Sequence, residues 1–239
     1  MTCCASIVTV PLQRLRIWYR KTAAAADIQP GELGRTWVTV IEAAGLQIAR
    51  PEGSKRVRIE MGPALPQGVP GDREPLDVWL AEPVELETVC ERLRAHVPVG
   101  IEAVGVDEIG DRLPSLGASL RAATYRAVLA SGACELDTLA ARCRVLLDAT
   151  SLPWTEIRGE RVREIDLRSF ILDLQPENTP RGVELVMQLV LAQDRVGRPA
   201  SVLAALGIES EPLELVRERV EVDRPLVALH AWRTVGRFS

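Results

Sequence analysis

Groups able to do acid–base or nucleophilic chemistry are scarce in this chain of 239 residues, which has two histidines and five cysteines. A Ser–His–Asp or Cys–His site needs an imidazole as its base. His96 ends an apolar-periodic segment just before Pro98, where a helix dipole favours an exposed histidine. His230 falls in a terminal strand segment with no partner motif. Cys3, Cys4, Cys90, Cys134 and Cys143 make no CxxC pair and no zinc spacing. Their odd number fits a reducing compartment. There is no GxxxxGK(S/T) loop, no GxGxxG after a strand, and no cysteine triplet spaced for an iron–sulfur cluster. The groups that remain are carboxylates and guanidinia. Glu32, and Asp166 with Arg168 in REIDLRSFILDLQ (163–175), are the candidates for acid–base or charge-stabilising work. Asp166 and Arg168 share a strand face with Phe170 and Leu172 if that stretch is one strand, and an ion pair at the edge of a core competes there with a ligand contact.

A second chemistry is read from alternation. In LQRLRIWYR (12–20) every second residue is apolar, so Arg14, Arg16, Trp18 and Arg20 share one strand face and Leu15, Ile17 and Tyr19 the other. Over 55–61, Arg56, Arg58 and Glu60 lie opposite Val57, Ile59 and Met61. Over 75–81, Asp77 and Trp79 lie opposite Leu76, Val78 and Leu80. If these strands are neighbours, one sheet face is apolar and takes helices. The other then carries five arginines, two tryptophans and two acids, with Lys21 and Arg198 as further basic candidates. Guanidinia beside aromatic rings can pair with phosphates and stack on bases, as single-stranded RNA requires. The competing reading is a solvated face whose charges pair across strands.

Along the chain the pattern alternates strands and helices. Helices are expected over about 31–44, 84–97, 135–148 and 199–206, with Gly45 and Gly207 as stops. Strands are expected near 12–20, 46–50, 55–61, 75–81, 100–108, 122–130, 153–158, 163–175, 182–193, 213–222 and 226–235. GPALPQGVPGDREP (62–75) is a loop by its Pro and Gly content. GDRLPSLGAS (110–119) is the best linker, which divides the chain into 1–112 and 120–239. The fold class is α+β: two βα-rich halves, the first ferredoxin-like, with mostly antiparallel sheets and helices on one face.

Composition narrows the partners. Net charge is −4 and is shared evenly, with 13 basic and 16 acidic residues over 1–120 and 16 and 17 after it. No basic domain marks bulk nucleic-acid binding. The start lacks the basic region of a signal peptide, and no apolar run reaches the ~18 residues that span a bilayer. A cytoplasmic chain of unknown oligomeric state, with no membrane partner, is expected.

The segments RLRIWYRK (14–21), AAGL (43–46), RIEMGPALPQGV (58–69), PLDVWLAEP (75–83), EIDLRSFILDLQP (164–176) and GRPASVLAALG (197–207) together resemble the radical SAM-linked protein family, DUF2344. The resemblance implies an accessory or substrate-binding module, with RNA or the ribosome as its setting, acting with a radical SAM protein as partner. The iron–sulfur cluster and S-adenosylmethionine would then belong to that partner, and no cofactor is expected in this chain. Relatives carry Ser-His-Leu-Asp at the start of the first helix, where this chain has Gln29, Pro30, Gly31 and Glu32. They also carry Gly-Phe-Asn-Pro-His-Pro, where this chain has Gly53 followed by Ser54, Lys55, Arg56 and Val57. Three functions stay open: a binding module, a free-standing enzyme built on Glu32, Asp166 and Arg168, or a scaffold between two proteins.

Overall fold

The computed structural model describes residues 13–51, 53–110, 112–158, 161–223 and 233–235. The chain divides into two compact units, Met1–Leu116 with Arg224–Ser239, and Gly117–Asp223. The last described segment, 233–235, belongs to the first unit, whereas the division expected from the sequence puts it in the second half, 120–239. Cys3, Cys4 and His230 lie outside the described residues.

The first unit runs β1 (Gln13–Lys21), α1 (Pro30–Ala43), β2 (Ile59–Met61), β3 (Gly71–Leu80), α2 (Leu86–His96) and β4 (Ile101–Ile109). The strands pair antiparallel in the order β4-β1-β3-β2. This is the split βαβ arrangement of a ferredoxin-like fold. The expected strand over 46–50 is only a bridge from Ile48 to Leu80, and that over 55–61 is reduced to three residues. Alternation places Leu15, Ile17 and Tyr19 beside Leu76, Val78 and Leu80. Trp37, Val40 and Ile41 of α1 and Val89, Cys90 and Leu93 of α2 bury against them in one core. α1 starts at Pro30, whose missing N–H costs nothing at a helix start.

The second unit follows α3 (Leu116–Ser119), a single turn at the boundary. It comprises β5 (Leu120–Val128), α4 (Leu136–Asp148), β6 (Pro153–Arg158), β7 (Arg161–Asp166), β8 (Ile171–Thr179), β9 (Gly182–Val190), α5 (Pro199–Ala205) and β10 (Glu214–Val222). Strands pair antiparallel in the order β10-β5-β9-β8. With the β6–β7 hairpin set aside, the βαββαβ order and the strand order repeat those of the first unit. β11 (Arg233–Val235) pairs with β4 of the first unit. Both units are therefore antiparallel α+β sandwiches.

The expected strand over 163–175 is interrupted. Residues Leu167–Phe170 form a 3-10 turn between β7 and β8. Asp166 is extended and its carboxylate accepts from the Arg168 N–H two residues on, a cap that competes with the strand ladder. Asp166, Arg168, Phe170 and Leu172 consequently do not share one strand face.

Candidate functional site

The arginine- and tryptophan-bearing face of the first unit exists, but much of it is inside. Register sets Arg16 opposite Asp77 and Arg14 opposite Trp79. Arg16 Nε donates to Asp77 Oδ1 at 2.7 Å, and Arg14 Nη2 donates to Oδ2 at 2.6 Å. Exposure is 2% for each arginine and 0% for the aspartate. Arg14 also donates to the carbonyls of Leu113 (3.0 Å) and Pro114 (2.9 Å), so the chain after β4 packs against this face of the sheet. Trp79 is held by the Arg14 guanidinium at 4.8 Å and by Arg58 at 4.2 Å. Trp18 donates its indole N–H to Asp107 at 2.8 Å, with Arg73 over its ring. Arg14, Arg16, Trp18 and Trp79 were expected to face solvent as a base-stacking platform. Their burial corrects this, because a desolvated guanidinium bound to a carboxylate and a covered ring have nothing to offer a strand of RNA. Alternation identified the face; it does not report what lies across it.

The other basic candidates are separate. Lys21 is buried and its ammonium donates to the Ala26 and Ile28 carbonyls at 2.8 and 2.9 Å. Arg20 is half-exposed and reaches Asp72 and Glu102 on the two neighbouring strands, both at 3.1 Å. Arg56 and Arg58 are exposed, as is Lys55. Arg198 pairs with Glu156 at 3.1 Å in the second unit.

The proposed carboxylate–arginine group divides between the units. Glu32 is exposed in the first turn of α1, in a shallow groove with Arg35, Thr36 and His96. Asp166 and Arg168 belong to the second unit, where both are spent on backbone. The Asp166 carboxylate accepts from Leu152 N at 2.7 Å, and these N–H donors hold it below the usual carboxylate range. Arg168 donates from Nε and Nη2 to Leu147 O and from Nη1 to Ile171 O. The pair thus ties the end of α4 to the 3-10 turn. Asp166→Ala is expected to raise amide exchange at Leu152 and Arg168 by about tenfold or more, with exchange in β3 unchanged.

In the second unit the open face carries a charge network instead of aromatic rings. Arg126 donates to Glu184 at 2.9 Å, and also contacts Glu177 and Glu218. Arg181 donates to Glu184 at 2.9 Å and to Glu214 at 3.0 Å. Arg126 follows Tyr125 on β5 as Arg20 follows Tyr19 on β1. In both places the tyrosine enters the core and the arginine reaches carboxylates on flanking strands. Burial pushes the Cys143 thiol up to about 11 and raises Cys90 as well, which makes both inert packing groups. Among the described residues no group of three or more His, Cys, Asp or Glu side chains is placed to hold a metal ion. No described helix is long and apolar enough to cross a membrane.

One concave site lies wholly within the first unit. A cavity of about 160 Å³ opens between the first turn of α1 and the loop after β2. Its walls include Tyr19, Ile28, Leu33, Met61 and Leu65, with Lys21 at one side and Gln29 and Pro30 from the helix start. Alternation places Tyr19 and Met61 on the apolar face, and Pro and Gly content places 62–75 in a loop, of which 71–75 instead belong to β3. The excess of loop over what a hairpin needs was the available signal. A family model matches residues 14–199, from β1 to the first residue of α5. The chain belongs to the DUF2344 family. The family's description reads "Uncharacterized protein conserved in bacteria". The DUF2344 match leaves out Gln13, most of α5, β10 and β11, and contains every residue of the cavity wall. No curated protein matches the chain significantly.

Proposed function

We propose that this DUF2344 chain is a non-catalytic accessory module that binds a substrate group for a radical SAM enzyme. The iron–sulfur cluster and S-adenosylmethionine are carried by that enzyme. The cavity at the start of α1 carries the reading: it is concave, largely apolar and framed by short regular elements, which is the form of a binding site. The commitment of Asp166 and Arg168 to backbone partners supports a structural role for them over the free-standing enzyme. Affinity purification of the tagged chain from its native cell tests the proposal. A stoichiometric iron–sulfur protein that cleaves S-adenosylmethionine is the expected companion. Recovery of only non-redox proteins would instead make the chain a scaffold.

A second reading, contact with RNA, is favoured by the exposed Lys55, Arg56 and Arg58. Recovery of RNA without the iron–sulfur protein, lost on joint Arg56→Glu and Arg58→Glu substitution, would replace the first reading with this one.

A further inference from the structure

The connection between the second and third sheet strands differs sharply between the two units. In the second unit β8 and β9 are joined by Pro180 and Arg181 alone, with Thr179 paired to Gly182. In the first unit the same connection takes residues 62–70. Closing the hairpin therefore does not need the extra length, and an insertion of this kind is where function is usually added. The geometry of departure is specific. Gly62 still pairs with β3, its N–H donating to Pro75 O at 2.9 Å. A Cβ at Gly62 would stand 2.4 Å from that oxygen, so only glycine fits. Pro63 follows and has no N–H with which to continue the ladder. The chain leaves its pairing with β3 there, while β3 itself continues to Gly71, opposite Lys21 of β1. The departing loop, residues 62–67, forms one wall of the cavity opposite the start of α1, and Pro63 and Pro66 restrict the conformations of that wall.

We propose that this cavity is a preformed site for an uncharged, ring-sized apolar group of a small molecule, of about six to nine non-hydrogen atoms. The inference deepens the binding-module reading and rests on it for its biological use. Size comes first: a volume near 160 Å³ is close to the ~150 Å³ of an apolar cavity that holds benzene. Lining comes second. Ile28, Leu33, Met61 and Leu65 are aliphatic, Tyr19 offers a ring, and no acidic side chain is in the wall. The wall's single ionisable cation, Lys21, directs its ammonium to the Ala26 and Ile28 carbonyls. A cationic ligand would approach that ammonium in a wall that offers it no acidic side chain. An apolar ring meets packed carbon on several sides.

The test uses the full chain and three probes: phenol, cyclohexanol, and glycerol as a polar control. Amide shifts are followed during titration. Phenol and cyclohexanol are expected to give saturable shifts confined to residues 26–34 and 61–67, with glycerol giving none. Ala64→Trp, at an exposed loop position, and Ala26→Leu each narrow the space and are expected to weaken phenol binding by about tenfold or more. Each variant is checked for an unchanged melting temperature. If phenol gives no saturable shift, or if both variants fold and bind it like the parent, the site is wrong. Saturable ring binding without a radical SAM companion in the purification leaves the site standing and removes the accessory reading. A companion without ring binding does the reverse.

Discussion

Asp77→Ala is expected to lower the unfolding free energy by about 4 kcal/mol, the cost of removing one member of a buried, hydrogen-bonded ion cluster. Two guanidinia share this one carboxylate, and all three groups are at most 2% exposed. Removing it leaves like charges facing each other in a medium that screens them poorly. Asp77→Asn keeps one carbonyl acceptor and should lose less. Urea unfolding followed by far-UV dichroism measures both. A loss under about 1 kcal/mol for the alanine variant would mean that the cluster is solvated in solution. Replacing the three groups together, with Arg14→Met, Arg16→Met and Asp77→Leu, should recover part of the loss, because it removes charge and partner at once.

The second large effect is on Glu184 and is read as a pH dependence. Burial alone would push its carboxyl up. Hydrogen bonds from Thr179, Arg126 and Arg181 outweigh burial and hold it at about 2, against an ordinary 4.5. A carboxyl with a depressed folded value contributes stability above its unfolded value. That contribution is fully present above pH 4.5 and is lost as pH falls from there toward 2. The slope due to this one group is at most about 1.4 kcal/mol per pH unit. Glu184→Gln should cost about 2 kcal/mol at neutral pH, since its arginine partners are partly exposed and screened. It should also flatten the acid limb of stability against pH. If the parent and the variant lose stability in parallel between pH 4.5 and 2, Glu184 is not the responsible group.

How much of this was legible in the sequence differs by element. The two faces of β1 follow from strict alternation, and the structure orients Leu15, Ile17 and Tyr19 toward the helices as that alternation requires. The ferredoxin-like order of the first unit follows from the spacing of its helices and strands. In the second unit the β6–β7 hairpin obscures the same order. The break at 167–170 was hidden because Leu167, Phe170 and Ile171 read as a continuous apolar strand. Its marker was Asp166 two residues before Arg168, the spacing of a side chain that caps a turn. Burial of the arginine–tryptophan face was not legible at all. It depends on long-range partners: residues 113–116 lie about 100 positions from Arg14. The cavity was not legible because its walls come from a strand end, a helix start and a loop. Each of these has an ordinary structural reason to be apolar or proline-rich.

The placement of the tryptophans has a spectroscopic consequence. Trp18, Trp37 and Trp79 are all in the first unit and are at most 6% exposed. The second unit has Trp154, half-buried on the β6–β7 hairpin, and Trp232 lies outside the described residues. Among the described tryptophans, the short-wavelength indole emission therefore comes from the first unit, and its red shift on denaturation reports that unit opening. Far-UV dichroism sums the backbone of both units. Recording the two signals on one denaturant series separates a single cooperative transition from sequential melting, with no label and no engineered probe.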